Sequence, residues 1–121
     1  MMRLGTDLAD IDLMRIQIDE SQNDFVAAFL SPSERTEVGA DVGRIATRWA
    51  AKEATMKALG HGFGDLDPRD IEVTVDEHGR PGLVLRGRAA ALANEIGVVH
   101  WELSLSRTAG IASAVVIGTG R

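Results

Sequence analysis

The feature that most restricts the fold is a stretch of good helix formers from Asp41 to Gly60. Alanine recurs within it at every fourth position: Ala46, Ala50, Ala54 and Ala58. In a helix this spacing forms one smooth stripe, against which another backbone can pack closely. Gly60 suits the position just past a helix C-terminus. The stretch therefore predicts a long helix with one side pressed against a neighbouring element.

Two polar stripes accompany the alanines. Trp49, Glu53 and Lys57 recur every four residues at the edge of the buried face, and the basic stripe comprises Arg44, Arg48 and Lys52. The simpler interpretation of Glu53 and Lys57 is a surface ion pair that contributes about 0.2–0.5 kcal/mol. The alternative is a carboxylate and an ammonium that belong to an active site, and the choice depends on the rest of the chain.

The remaining pattern predicts an α+β fold in which the long helix packs on one face of an antiparallel sheet. A first strand is expected over Met2–Thr6, ending at Asp7, and the structure between Leu8 and Ile16 is ambiguous. A short helix is expected over 24–30, and Ser31-Pro32-Ser33-Glu34 forms a capping box that starts another. Further strands are expected over 70–75, 83–85, 99–105 and 111–117, with a helix over 88–95 and a hairpin loop over 106–110. The apolar run 112–117 predicts a strand buried on both faces, against another subunit.

Composition limits the class of protein. The 121 residues, 45% of them hydrophobic, suit one domain spanning 1–121. No stretch approaches the roughly 20 apolar residues of a membrane span. The absence of cysteine is consistent with a cytoplasmic protein. A net charge of −5 and few aromatic residues argue against a nucleic-acid partner, although the basic stripe can still receive an anionic ligand.

Asp7 and Glu53 are candidate ligands for Mg²⁺, which usually takes one or two protein carboxylates together with substrate phosphates. Taken alone, an acid in the place of Asp7 is more often a turn or cap residue, and one in the place of Glu53 is more often a surface acid. Lys57, one helical turn from Glu53, is able to hold a phosphate or move a proton.

Two loops are candidate phosphate contacts. The glycines at 60, 62 and 64 would let a backbone approach a phosphate, although the spacing is not that of a P-loop. Ser106, Arg107 and Thr108 place two hydroxyls and a guanidinium at a strand end, where Arg can bind phosphate in a bidentate manner. Without other evidence, the first is a helix terminator and the second an exposed hairpin loop.

Taken together and in order, these segments resemble the small, holo-acyl-carrier-protein-synthase type of 4′-phosphopantetheinyl transferase. The motifs are Gly5-Thr-Asp7, Arg48-Trp-Ala-Ala-Lys-Glu-Ala-Thr-Met-Lys-Ala-Leu-Gly60, Gly62-Phe-Gly64, Asp70-Ile-Glu-Val73, Gly79-Arg-Pro81 and Ser104-Leu-Ser106. The resemblance runs from about Arg3 to Ile117, nearly the whole chain. Its most specific part is the Ala-Ala-Lys-Glu-Ala-x-x-Lys-Ala run combined with an N-terminal Gly-x-Asp.

The resemblance implies transfer of phosphopantetheine from coenzyme A to a serine of an acidic carrier protein, of fatty-acid or polyketide type, with release of adenosine 3′,5′-bisphosphate. Asp7 and Glu53 would hold Mg²⁺, and Lys57 would touch the transferred phosphate or assist proton removal. The family is typically a homotrimer with its sites between subunits. The residues implied in coenzyme A binding are Arg48, Lys52, Gly60, Gly62, Gly64, Gly79, Arg80, Pro81, Ser106, Arg107 and Thr108.

Three departures from the family pattern affect the predicted site. Arg107 stands where the family usually has His, so a titratable group is lost although phosphate pairing is kept. Ala28 stands where an Arg is usual, and Arg15 is displaced from the usual place after the first Asp. The segment between Glu34 and Arg48 is shorter than usual and has few cations, which leaves Arg15, Arg35, Arg44 and Lys52 to face an acidic carrier.

These observations leave two functional hypotheses and a general alternative. The retained Asp7, Glu53 and Lys57 favour an active transferase, whose proton acceptor is Glu53, Lys57 or water held by the metal. The departures motivate a non-catalytic relative that binds coenzyme A or a partner. An α+β scaffold with incidental motif matches is the remaining interpretation.

Overall fold

The computed structural model describes residues 1–120. Its helices and strands are β1 (Met2–Asp10), α1 (Ile11–Ser21), α2 (Asp24–Phe29), α3 (Pro32–Val38), α4 (Val42–Leu59), β2 (Ile71–Val75), β3 (Pro81–Leu85), α5 (Gly87–Ile96), β4 (His100–Thr108) and β5 (Ile111–Thr119), with a 3-10 turn at Pro68–Asp70. The predicted α+β class, with antiparallel strands and one long helix, is confirmed.

The strands form two antiparallel sheets. One has the order β1-β5-β4, and β2 pairs with β3 in the other. In the larger sheet β5 lies in the centre, and Asp7 on β1 is opposite Ala114. The larger sheet therefore brings the two ends of the chain together and presents one face to α4.

The contact between β1 and α4 is a close approach of two backbones. The four alanines of the predicted stripe are 0–2% exposed. A Cβ atom added to Gly5 would lie 1.7 Å from the carbonyl oxygen of Ala54, so only glycine fits there. The predicted small-residue stripe is confirmed, and its partner is the strand that carries Asp7.

The helix boundaries follow local capping chemistry. The Asp41 carboxylate accepts from the backbone N–H of Arg44 at 3.1 Å and starts α4. Gly60 ends α4 at φ 80°, in the left-handed region that favours glycine. At the start of α3, Ser31 and Glu34 form the predicted capping box. These termini fix the length of α4 and hence the positions of its functional side chains.

Two sequence-based predictions about the sheet are wrong. β1 continues past Thr6 to Asp10, because it remains paired with β5 along its whole length, so Asp7 lies inside the strand rather than at its end. Within one chain the run 112–117 is buried on one face: Ala112, Ala114 and Val116 are buried, whereas Val115 is 38% exposed, so burial of the other face against another subunit stays a prediction. The hairpin loop is also shorter than predicted, because Ala109 and Gly110 adopt positive φ and close it in two residues.

Within residues 1–120, no helix is both long enough and apolar enough to cross a membrane.

We expect Gly5→Ala to lower the free energy of unfolding by roughly 2–3 kcal/mol or more, because the added methyl group meets the backbone of Ala54. Urea denaturation at a fixed protein concentration measures the change. Gly62→Ala is the matched control: no atom lies within 4 Å of its added Cβ, and a change within about 0.5 kcal/mol is expected. Equal stability of the two variants would contradict the proposed role of Gly5.

Candidate active site

Asp7, Glu53 and Lys57 come together where β1 crosses α4, and we call these three residues the carboxylate cluster. The Lys57 ammonium donates to the Asp7 carboxylate at 3.1 Å and to the Thr6 carbonyl oxygen at 2.9 Å. The Asp7 side chain is 16% exposed and that of Lys57 is 57% exposed. A largely buried carboxylate thus lies beside a cation that solvent or a ligand can reach.

Glu53 completes the cluster electrostatically. Its partial burial raises the pKa of its carboxyl group, the nearby Asp7 carboxylate raises the pKa further, and Lys57 lowers it. Two carboxylates that repel each other, with only one ammonium beside them, favour an additional cation. This donor set fits a hard divalent cation such as Mg²⁺.

The carboxylates by themselves do not form a complete metal site. Within residues 1–120, no group of three or more His, Cys, Asp or Glu side chains is placed to hold a metal ion. Mg²⁺ usually completes its shell with water and substrate phosphates, so two carboxylates suit a site that also binds a phosphorylated substrate.

The glycine-rich loop after α4 folds back along the Trp49–Glu53–Lys57 side of the helix. The ring of Phe63 stacks on Trp49, with centroids 5.0 Å apart and an interplanar angle of 19°. The Asp65 carboxylate accepts from Arg88 Nε at 2.9 Å and from Arg88 Nη2 at 2.8 Å, and it also contacts His61. Phe63 therefore holds the loop against α4, and Asp65 ties it to Arg88.

The glycines of this loop differ in what requires them. Gly60 is required by its positive φ, whereas Gly62 and Gly64 have neither positive φ nor an atom within 4 Å of an added Cβ. The space beside Gly62 and Gly64 is therefore open to a ligand.

A second group of predicted residues lines a groove of about 290 Å³ elsewhere on the chain. Its lining is Arg44, Thr47, Arg48, Val75, Gly79, Pro81, Leu105, Ser106 and Arg107. This arginine groove brings together three guanidinium groups and two hydroxyl groups. It has the chemistry of an anion site.

Two carboxylates that the sequence analysis did not single out partly neutralise this groove. Glu37 pairs with Arg44, and it also accepts from Arg48 Nη2 at 2.7 Å. The Arg107 guanidinium donates to Asp41 at 3.1 Å. Asp41 was detectable as a helix N-cap, but nothing in the sequence indicated Glu37, which depends on the packing of α3 against α4.

Burial and the neighbouring Arg44 lower the pKa of the Arg48 guanidinium. An anion that enters the groove would relieve the repulsion between these two cations.

The arginine groove and the carboxylate cluster lie on opposite sides of α4. Arg48 and Lys57 are nine residues apart, which at 3.6 residues per turn separates them by half a rotation. Arg48 therefore lies away from Glu53 within one chain, and its contact with coenzyme A stays a prediction. Gly79, Pro81, Ser106 and Arg107 lie with Arg48, as a separate half of the predicted site.

The structure contradicts the predicted role of Lys52 in binding coenzyme A or a carrier. Its side chain is 0% exposed, and its ammonium donates to Glu34 at 2.8 Å and to the carbonyl oxygens of Pro68 and Ile71 at 2.9 and 2.5 Å. A side chain without exposed surface cannot contact coenzyme A or a carrier. Lys52 instead ties α4 to α3 and to the start of β2.

Arg80 and Thr108 lie outside the groove. Arg80 is exposed and pairs with Glu102 at 3.2 Å. Thr108 is exposed at the end of β4. Among residues 1–120, no contact joins either residue to the carboxylate cluster, so their contacts with coenzyme A stay predictions.

The comparisons with known proteins agree with this geometry. The family model described as the 4′-phosphopantetheinyl transferase superfamily matches residues 3–116. A holo-[acyl-carrier-protein] synthase of Streptomyces avermitilis is 41% identical over 119 residues, which cover 97% of this chain and 96% of that protein. One of Herpetosiphon aurantiacus is 36% identical over 127 residues, covering 99% of this chain and 100% of that protein.

Solved structures give the same result. The chain superposes on an acyl carrier protein synthase–coenzyme A complex of Chronobacterium ammoniagenes with a TM-score of 0.89 and 31% identity, covering 100% of this chain and 98% of that one. For the Helicobacter pylori synthase in complex with coenzyme A, the TM-score is 0.87 at 28% identity, covering 96% and 99%. The protein belongs to the 4′-phosphopantetheinyl transferase superfamily, which confirms the resemblance.

The electrostatic coupling in the carboxylate cluster predicts how Glu53 titrates. Because Asp7 raises the pKa of Glu53 and Lys57 lowers it, we expect Asp7→Asn to lower that pKa and Lys57→Met to raise it. A carboxyl-detected NMR titration measures both shifts. Glu95→Gln, which changes an exposed acid on α5, is the control and leaves the titration unchanged. A Glu53 pKa that is the same in all variants would contradict the cluster.

Proposed function

We propose that this protein transfers the 4′-phosphopantetheine group from coenzyme A to a serine of an apo carrier protein, acting as a holo-[acyl-carrier-protein] synthase through one domain spanning 1–121. The observation that carries the proposal is the convergence of Asp7, Glu53 and Lys57 at one point of a fold shared with synthases solved with coenzyme A. The serine oxygen forms a bond to the phosphorus that bears pantetheine. The bond from that phosphorus to the bridging oxygen breaks, and adenosine 3′,5′-bisphosphate leaves.

The chain supplies charge and position for this step. Phosphoryl transfer needs neutralisation of the phosphoryl oxygens and an aligned nucleophile, with little further covalent chemistry. Lys57, which is exposed and already beside Asp7, reaches a phosphoryl oxygen. Glu53 is the side chain of this cluster placed to accept the serine proton, because the Lys57 ammonium donates to Asp7 and to the Thr6 carbonyl oxygen and has no free electron pair.

We propose that Asp7 and Glu53 hold Mg²⁺ on the pyrophosphate of coenzyme A. When bound, Mg²⁺ would supply positive charge against the oxygens of the pyrophosphate. The support is the repulsion between the two carboxylates, which a divalent cation relieves.

We propose a homotrimer with its sites between subunits. Within one chain, the carboxylate cluster and the arginine groove lie on opposite sides of α4. A second chain is therefore needed to bring a groove next to the cluster. The outer face of the larger sheet also exposes apolar side chains, with Met2 at 69%, Leu4 at 60% and Val115 at 38%. Covering this face would bury the surface that the sequence predicts to contact another subunit.

Within the trimer, the arginine groove of one subunit would contact the nucleotide end of coenzyme A bound at its neighbour's carboxylate cluster. Phosphate oxygens would then replace Glu37 and Asp41 as partners of the three arginines. Arg80 and Thr108, which contact no part of the cluster in their own chain, would act in the same way. The predicted cytoplasmic location rests on composition alone.

The second candidate function is a non-catalytic coenzyme A-binding relative. It is favoured by Arg107, which is held by Asp41 in place of a titratable histidine, and by the exposed Ala28 in place of an arginine. The carboxylate cluster argues for transfer, since binding alone does not require two repelling carboxylates beside a lysine.

The test of transfer is intact-mass spectrometry on the protein mixed with coenzyme A, Mg²⁺ and a panel of apo carriers of fatty-acid and polyketide types. We expect one carrier to gain one phosphopantetheine, and a chelator to stop the gain. Asp7→Ala and Glu53→Ala are each expected to lower kcat/KM by a factor of about 100 or more, because each removes a ligand charge from the site. Full activity in either variant would overturn the assigned site, whereas coenzyme A binding without turnover would favour the second candidate.

Shared sites predict recovery of activity when two inactive variants are mixed. Glu53→Ala removes the carboxylate cluster and Arg48→Ala removes part of the groove, so mixed trimers contain some sites with both halves intact. We expect a mixture, unfolded and refolded together, to regain up to about a quarter of wild-type activity while each variant alone stays near background. No recovery, or a sedimentation mass equal to one chain, would contradict sites between subunits.

A further inference from the structure

Glu37, near the C-terminal end of α3, bridges two cations of the arginine groove. One of its carboxylate oxygens contacts the Arg44 guanidinium, and the other accepts from Arg48 Nη2 at 2.7 Å. A phosphate group contacts paired arginines in the same way, with separate oxygens on separate guanidinium groups. Glu37 is therefore an internal substitute for an anion at this groove.

Arg48 is the cation of the groove that most needs a negative partner. Its side chain is 8% exposed, and burial, followed by the charge of Arg44, lowers its pKa. Arg48 Nη1 is used in a hydrogen bond to the Thr47 hydroxyl at 3.0 Å. A buried guanidinium without a counter-charge is costly, so Glu37 stabilises the groove when no ligand fills it.

The Glu37 carboxylate can leave the arginines without breaking another hydrogen bond. Its side chain is 33% exposed, and among the hydrogen bonds of residues 1–120 it accepts from Arg44 and Arg48 alone. It lies one residue before Val38, where the short helix α3 ends. A ligand with more negative charge can therefore displace this carboxylate into solvent.

Asp41, the other carboxylate beside the groove, is held by two contacts. Its Oδ1 atom accepts from the backbone N–H of Arg44, which starts α4, and from Arg107 Nη1, each at 3.1 Å. A Cβ atom added to Gly43 would lie 2.0 Å from the same Arg107 nitrogen, so the glycine leaves the space that this guanidinium occupies. Moving Asp41 would remove the cap of α4, whereas Glu37 caps no helix among residues 1–120. Glu37 is thus the carboxylate that a ligand displaces at lower cost.

The charges make this exchange favourable for a dianion. The groove and its two acids hold three guanidinium groups against two carboxylates, which leaves one positive charge unbalanced. When Glu37 is displaced, two positive charges face the ligand, and a phosphate monoester carries nearly that much negative charge at neutral pH. A monoanion would only replace the charge that Glu37 already supplies.

We propose that Glu37 sets the affinity of the arginine groove: it competes with the 3′-phosphate of coenzyme A for Arg44 and Arg48, and it returns to them when the nucleotide product leaves. The inference rests on the proposed function, which brings the nucleotide end of coenzyme A to this groove. The competition weakens the binding of donor and product alike, because both carry the 3′-phosphate. It thereby limits inhibition by adenosine 3′,5′-bisphosphate.

The first test is calorimetry with adenosine 3′,5′-bisphosphate. We expect Glu37→Gln to bind it about fivefold more tightly than the wild type at about 20 mM NaCl, with a smaller gain at about 200 mM, because salt screens these partly exposed charges. Glu95→Gln removes the same charge from α5 and is expected to change nothing. Weaker or unchanged binding in Glu37→Gln would overturn the proposal, since Glu37 would then hold the arginines in place for the ligand. Equal gains in both variants would also overturn it, because only net charge would matter.

Two further comparisons locate the effect. Glu37→Gln is expected to tighten the binding of coenzyme A but not that of 3′-dephospho-coenzyme A, and an equal gain for both ligands would contradict competition with the 3′-phosphate. The double variant Glu37→Gln/Arg48→Met is expected to bind coenzyme A no more tightly than Arg48→Met alone. A gain that persists without Arg48 would place the effect outside the groove.

Thermal unfolding gives a measurement that needs neither coenzyme A nor a carrier. Glu37→Gln leaves the buried Arg48 without its carboxylate, so we expect the free variant to have a lower Tm than the wild type. Inorganic phosphate is then expected to raise the Tm of the variant more than that of the wild type, because a ligand stabilises the folded state in proportion to its affinity. An equal rise in the two proteins would contradict the competition.

Failure of the proposed function gives a different result from failure of this inference. If no carrier gains phosphopantetheine while coenzyme A still binds more tightly to Glu37→Gln, the competition stands in a non-catalytic relative. If transfer occurs, Glu37→Gln is expected to lower the KM for coenzyme A and the inhibition constant of adenosine 3′,5′-bisphosphate by similar factors. Transfer with both constants unchanged would refute the inference and leave the function intact.

Discussion

The close approach of β1 to α4 is the contact on which the rest of the structure depends. Gly5 lies against the carbonyl oxygen of Ala54, where no other residue fits. Because Asp7 follows Gly5 by two residues on the strand, and Glu53 precedes Ala54 on the helix, this contact also sets the separation of the two carboxylates. A single packing constraint therefore supports both the core and the electrostatics of the candidate site.

The two sides of α4 serve different purposes because the helix is buried unequally around its circumference. Lys52 is fully buried, and its ion pair with Glu34 is completed by two backbone carbonyl groups that offset the loss of hydration. The pKa of Glu53, the next residue, is raised by partial burial and by the charge of Asp7. Neighbouring residues of the same helix thus act in a structural network and in a reactive cluster.

Local patterns predicted much of this arrangement. The capping box at Ser31, the end of α4 at Gly60 and the alanine stripe follow from short-range chemistry, and all three occur in the structure. The grouping of Asp7, Glu53 and Lys57 was predicted from motif order. The length of β1 was not, because residues 8–10 remain extended only through pairing with β5, which is about a hundred residues away in sequence.

The sequence by itself determined the start of α3, both ends of α4, the family and the residue types available for phosphoryl transfer, since these depend on local chemistry and on motif order. Only the tertiary structure decided which of those residues are accessible and which face one another. Burial removed Lys52 from the ligand-binding set, and rotation around α4 separated Arg48 from Glu53. The exposure of a side chain and the residues that it faces depend on contacts between segments that are distant in sequence. The spacing of residues within one segment does not encode those contacts.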